Sequence, residues 1–297
     1  MASIRARILN SFIRIVVRRR HWGDGVKLVR RARRLFGLMK WMQLPMGGVE
    51  SRLWQAAGLS GDDFGPVDSE LVVLYLHGGG YLGCSPATHR PITKTLAKLM
   101  SARVIAPDYR LAPEHPFPAA LEDAVATFQW ILDQGVAPDR IRVAGDSAGG
   151  GLTLALMLKL KELQLPLPGK LYLLSPWTDL TGSCESIYSN DGKDSMFRSD
   201  NLDAFATHYV GDEARNNPLI SPLFGDLSGL PPMLIQVDSS ETLLDDSRVL
   251  HENALEAGVD STIEIQEGLL HVWQLYVGVI PEAKQSLQTA AKFLQEK

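Results

Sequence analysis

The chain has 297 residues, 45% of them hydrophobic and 22% charged, with a net charge of −4; this is a globular composition with no overall basic character to hold nucleic acid. Its two cysteines, Cys84 and Cys184, exclude a disulfide framework and a cysteine metal cluster, and they fit a reducing, cytoplasmic setting. Charge is unevenly spread: residues 1–40 hold twelve Lys and Arg against the single acid Asp24, so the rest of the chain is about fifteen charges net negative.

Residues 1–45 read as basic helices. The apolar run from Ile8 to Val17 is broken by Asn10 and Arg14 and lacks a small-residue cleavage site, so no secretory signal is expected. No run reaches about 18 apolar residues, and no membrane span is expected. The first expectation is a helix lying on the chain's own acidic body. The second is weak contact of residues 1–40 with a membrane surface.

From residue 71 short β-rich runs alternate with helical segments. Leu71–Leu76 is a continuous apolar run, as in a strand buried on both faces. Arg103–Ala106 follows as a strand, and Pro118–Gln134 as a helix with Leu121, Val125, Phe128 and Leu132 on one face. Ile141–Ala144 is a third strand, leading into a helix start at Ala148. Lys170–Leu174 and Met233–Val237 are further strands, and Thr262–Gln266 alternates like a strand nearer an edge. Pro281–Gln295 closes the chain as a helix. Such alternation predicts an α/β fold: a mostly parallel central sheet flanked by helices. Residues 181–230, rich in Gly, Ser, Asn and Asp with a helix near Asp200–Tyr209, interrupt it. Together with residues 1–45 they are expected to form a helical cap over a catalytic domain made of 46–180 and 231–297.

Gly145-Asp146-Ser147-Ala148-Gly149 follows a strand and opens a helix, the setting of a nucleophile elbow. There a serine hydroxyl stands at a helix N-terminus, where N–H groups favour developing negative charge. His77-Gly78-Gly79-Gly80-Tyr81 ends the first buried strand, and bare backbone N–H groups can converge there on an oxyanion. Gly79, Gly80 and Ala148 are the candidate donors; His77 is read as a structural residue of that loop. His271, in the loop after the last strand, is the candidate base. The carboxylate that would orient it lies in Asp238-Ser-Ser-Glu241, where Glu241 is preferred and Asp238 is the rival. Asp245 and Asp246 read as first-turn residues of a helix. Asp108, Arg110 and Glu114 read as ion pairs that tie a loop beneath the site, and Asp146 as an anchor of the elbow. Tyr81 and Trp177 are candidates to line a substrate pocket, with core packing as their other role. Cys84 reads as a buried thiol.

These strings, with Asp108-Tyr-Arg-Leu-Ala-Pro-Glu114 and Ser175-Pro-Trp-Thr-Asp-Leu180, resemble the hormone-sensitive-lipase family of α/β-hydrolases, the family IV esterases, over residues 70–297. The resemblance implies a carboxylic ester hydrolase with a small-molecule ester substrate, no metal and no organic cofactor. It also implies a cap of N-terminal helices plus an insertion, and it allows a homodimer. One string departs: the family's acid lies in Asp-Pro-Leu-x-Asp, and the aligned residues here are Glu241-Thr-Leu-Leu-Asp245. Short-to-medium acyl esters are the expected substrates, with lactones or lipids as alternatives that use the same residues. Some family members act as small-molecule receptors after losing catalytic residues; Ser147, a carboxylate and His271 are all present here.

Overall fold

Strand β3 (Val72–Leu76) shows how the fold is built. Side chains alternate across a strand, and both faces of β3 are covered. Val73 and Tyr75 join one apolar core with Ile92, Leu96, Leu287 and Leu294, while Leu74 and Leu76 join another with Phe128, Leu152 and Leu250. That double burial is why its sequence is an unbroken apolar run. The computed structural model describes residues 2–18, 25–38 and 47–296.

The strands are β1 (Ser51–Ala56), β2 (Leu59–Phe64), β3, β4 (Arg103–Pro107), β5 (Ile141–Asp146), β6 (Lys170–Leu174), β7 (Met233–Asp238) and β8 (Ser261–Gln266). They form one eight-stranded sheet in the order β1-β2-β4-β3-β5-β6-β7-β8. The β1–β2 and β2–β4 pairs are antiparallel, and every pair from β4 to β8 is parallel. The helices are α1 (Ile4–Ile13), α2 (Gly25–Leu38), α3 (Pro86–Met100), α4 (Ala119–Asp133), α5 (Ala148–Glu162), α6 (Ser186–Ser189), α7 (Ser199–Val210), α8 (Leu244–Glu256) and α9 (Pro281–Gln295). Helices α3 and α9 cover one face of the sheet and α4, α5 and α8 the other. Helix α5 is buried nearly all round, because it lies between the sheet and its neighbours.

The strands expected from residue 71 onward are present, and β8 is an edge. The β1–β2 hairpin was not expected. Its turn is Ala57-Gly58 with φ of 52° and 76°, a geometry that Asn-Gly usually announces. Helix α3 was also missed; Pro91 and three scattered threonines blur its period, although Thr88 Oγ1 accepts Ser85 N at 3.1 Å and Pro86 begins it.

Helix α1 continues through a π-helical turn at Arg14–Arg18. Leu9, Ile13 and Val17, with Leu28 and Phe36 of α2, share one apolar core with Phe205 and Tyr209 of α7. The N-terminal helices therefore lie on the body, as first expected. Asn10 Nδ2 donates to the Leu269 carbonyl at 3.0 Å. Arg18 pairs with Asp191 at 2.8 Å, and Arg33 with Glu114 at 2.5 Å. Parts of the expected 1–45 cap segment, residues 19–24 and 39–46, lie outside the described residues. Among the described residues, no helix is long and apolar enough to cross a membrane.

Candidate active site

Because β3 to β8 run parallel, their carboxyl ends gather on one edge of the sheet, where open α/β folds bind ligands. The loops after β3, β5, β6, β7 and β8 meet there. The tightest is the step from β5 into α5 at Ser147, with φ 53° and ψ −122°. A non-glycine residue at such angles costs about 1–3 kcal/mol and persists only where its surroundings hold it. Here Ser147 N donates to the Leu174 carbonyl at 2.8 Å, and Ser147 O accepts from Trp177 N at 2.9 Å. The flanking glycines are needed for close approach: a Cβ on Gly149 would collide with the Leu76 carbonyl, and one on Gly145 with the Gly149 carbonyl. Ala148 is the first residue of α5, whose leading N–H groups have no acceptor within the helix.

The loop after β3 lies alongside. Gly79 and Gly80 have φ of 123° and 61°. A Cβ on Gly80 would meet the Phe205 ring at 2.6 Å, so α7 covers this loop directly. The loop is held from below by Asp146, which accepts Gly78 N at 3.0 Å, Tyr75 OH at 2.7 Å and His89 Nε2 at 3.0 Å. Burial would raise the Asp146 pKa, but the His89 ring and these hydrogen bonds outweigh it and hold the carboxyl below its usual range. Asp146, expected to anchor the elbow, thus joins the elbow to the glycine loop. His77 is structural: it stacks on Tyr109 with centroids 4.2 Å apart, and burial lowers its pKa to about 3.

After β7 the two rival carboxylates separate cleanly. Glu241 Oε2 lies 2.6 Å from His271 Nδ1. Its Oε1 accepts Ser175 Oγ and Asp238 N, each at 2.8 Å. Asp238 instead accepts Ser240 Oγ at 2.6 Å and Leu269 N at 2.8 Å, and so shapes the loop; burial pushes its pKa up to about 6. With Glu241 Oε2 as the acceptor of this bond, its proton sits on Nδ1. That leaves Nε2 as the lone-pair nitrogen of the neutral ring, and it is buried with no hydrogen-bond partner among the described residues. Burial alone would lower the His271 pKa; the charge and hydrogen bond of Glu241 reverse this, and the net shift is upward. The Phe197 ring meets the imidazole edge-on, 4.9 Å between centroids.

Several residues in this arrangement went unassigned in the sequence. Ser175 has φ 45° and is buried, with its hydroxyl on Glu241. Asn190 Nδ2 donates to the Glu241 carbonyl at 2.9 Å, and Asp194 accepts Thr242 N at 2.9 Å. The last two come from the insertion, so that segment supports the acid loop as well as covering the site. Asp246 opens α8 as expected, yet its buried carboxylate also accepts Thr178 N at 2.7 Å, and burial raises its pKa to about 7. Arg110 pairs with Asp123 at 2.8 Å, tying the loop to α4. Of the pocket candidates, Tyr81 is packed: it is 1% exposed and stacks on Tyr209 at 3.6 Å. Trp177 is buried too, though it borders a small cavity of about 40 Å³ against the insertion. Cys84, read as buried, is half-buried. Among the described residues, no group of three or more His, Cys, Asp or Glu is placed to hold a metal ion.

The alpha/beta hydrolase fold family matches residues 73–275. An acetyl-hydrolase of Streptomyces hygroscopicus is 42% identical over 75% of this chain and 75% of its own length. An esterase of Acinetobacter venetianus is 38% identical over 82% of each. The solved structure of an esterase from the bacterial hormone-sensitive lipase family superposes with a TM-score of 0.92 at 36% identity, covering 99% of this chain and 98% of that one. The chain belongs to the hormone-sensitive lipase family of α/β-hydrolases. A hormone-sensitive lipase from a metagenome library agrees equally well, with a TM-score of 0.93 at 39% identity over 99% of this chain and 98% of that one.

Proposed function

We propose that this family member is a serine carboxylesterase that cleaves short-to-medium acyl esters through an acyl-enzyme on Ser147. Ester hydrolysis is the activity of the family; the triad Ser147, His271 and Glu241 and the acyl range are the proposal. The observation that carries it is the 2.6 Å contact of Glu241 with His271 Nδ1, which leaves Nε2 free to take a proton. His271 Nε2 accepts the Ser147 hydroxyl proton as Oγ bonds to the ester carbonyl carbon. The resulting oxyanion is held by the N–H groups of Gly79, Gly80 and Ala148, each worth about 3–4 kcal/mol of transition-state stabilisation. His271 returns the proton to the alcohol oxygen as the C–O bond breaks. Water then repeats the sequence on the acyl-enzyme and releases the acid. Glu241 holds the ring in this orientation and stabilises the imidazolium.

Crowding around the site limits the acyl range. Phe205 lies over Gly80 and Phe197 against His271. An acyl chain must bend past these rings, which favours compact groups. A p-nitrophenyl ester series from acetate to palmitate is expected to peak between acetate and hexanoate. A maximum at palmitate would identify a lipase, and faster turnover of lactones than of every linear ester would identify a lactonase.

The raised His271 pKa fixes the pH dependence. The base works only when neutral, so kcat/KM should rise with pH through a midpoint above about 6.5, the ordinary histidine value, and then level off. A midpoint below that value would contradict the ionised Glu241 partner.

A further inference from the structure

The outer face of α1 is left over when the catalytic site is accounted for. Ala6, Leu9 and Ile13 face the body, and Asn10 bonds to the loop that carries His271. On the opposite side Ile4, Ile8 and Phe12 follow one another at i, i+4 and i+8, and Ile15 extends the row into the π-helical turn. They are 75%, 66%, 49% and 57% exposed. Four large apolar side chains in one row are unusual on a surface that faces only water. Arg5 and Arg7, both exposed, flank the row on either side, and residues 2–18 contain no acid. Helix α2 repeats the theme: Lys27, Arg30 and Arg34 are exposed at i, i+3 and i+7, while Leu28, Val29, Ala32 and Phe36 are buried.

We propose that the outer faces of α1 and α2 dock on the surface of an anionic lipid bilayer. An apolar row with basic flanks is the layout of a helix that lies in the plane of a membrane interface. Each nearby Lys or Arg adds attraction to anionic headgroups. The charge distribution picks this occupant over a second copy of the chain. In a two-fold contact the same patch would meet itself and bring Arg5, Arg7, Lys27, Arg30 and Arg34 against their own copies. It also sets the orientation, since the remainder of the chain is net negative and is repelled from the same surface. Arg14, Arg18 and Arg33 are engaged with the body, at the Gly192 carbonyl, Asp191 and Glu114, so the cap stays seated while its outer side meets lipid. Docking in this way brings the loop that carries His271 to one helix diameter from the headgroups, which would admit esters that partition into membranes.

Flotation of the full-length protein with phosphatidylcholine vesicles, with and without about a third phosphatidylglycerol, tests this. Wild type and Ser147→Ala should float equally with the anionic vesicles, which separates docking from catalysis, and should be released by about 0.5 M salt. Ile8→Glu/Phe12→Glu should weaken partition by roughly a hundredfold, and Lys27→Glu/Arg34→Glu, which leaves the apolar row intact, should also weaken it. Turnover of soluble p-nitrophenyl acetate should not change in either variant. Absence of wild-type flotation, or flotation that neither variant weakens, would overturn the proposal. So would a wild-type dimer that Ile8→Glu/Phe12→Glu converts to monomer, because the face would then belong to a second copy.

Discussion

Ser147→Ala is expected to lower kcat/KM for p-nitrophenyl butyrate by about 10⁵- to 10⁶-fold, the loss typical when a serine nucleophile is removed from an intact site. The change deletes one oxygen from a buried side chain and leaves the backbone that shapes the elbow. The contacts holding φ at 53° are main-chain ones, from Ser147 N to Leu174 O and from Trp177 N to Ser147 O, and alanine keeps them. Circular dichroism and Tm should therefore match wild type within a few degrees. Activity within tenfold of wild type would show that another group attacks the ester.

The second large effect separates the two carboxylates after β7. Glu241→Gln should cost about 10³- to 10⁴-fold in kcat, as when an amide replaces the acid of a triad. A glutamine amide that faces His271 donates to Nδ1, which moves the ring proton to Nε2 and removes the lone pair that must receive the serine proton. Its remaining oxygen can still accept Ser175 Oγ and Asp238 N, so the loop should hold. Asp238→Asn should cost less than about tenfold, because its partners are Ser240 and Leu269 N and not His271. Stability provides a second readout. The Asp238 pKa is raised to about 6, so its contribution to stability is complete below the unfolded value and is lost as pH rises through about 6. Asparagine removes that pH-dependent loss but turns its NH2 toward Leu269 N or Ser240 N, so the destabilisation caused by Asp238→Asn should shrink as pH rises through about 6. A large loss of kcat on Asp238→Asn with Glu241→Gln near wild type would exchange the two roles.

Much of this site was legible because its parts are local. Gly145 to Gly149 encodes a turn that only small flanking residues permit, and the glycine loop after β3 has the same property. His271 is marked as the candidate base by its place after the last strand. Glu241 was preferred over Asp238 by alignment of a short string, and the hydrogen bond to His271 agrees with that preference. Ser175, Asn190 and Asp194 were not legible as part of the site. Their contacts join positions 66, 51 and 48 residues apart, and no local pattern marks which serine, asparagine or aspartate reaches the acid loop. The same reason hides the packing of Tyr81, whose partner Tyr209 arrives from α7. In the fold, continuous apolar strands announced themselves, whereas the β1–β2 hairpin did not. Leu53 is exposed and Trp54 buried on a strand with one wet face, and its Ala-Gly turn carries a weak signal.

The proposed acyl-enzyme on Ser147, with His271 as its base, can be trapped. It is tested most directly by reacting the protein with a fluorophosphonate and locating the adduct by peptide mass spectrometry. One adduct per chain is expected, on Ser147, with parallel loss of esterase activity; labelling should be absent in Ser147→Ala and strongly slowed in His271→Ala. An adduct on another residue, or full loss of activity with Ser147 unmodified, would contradict it.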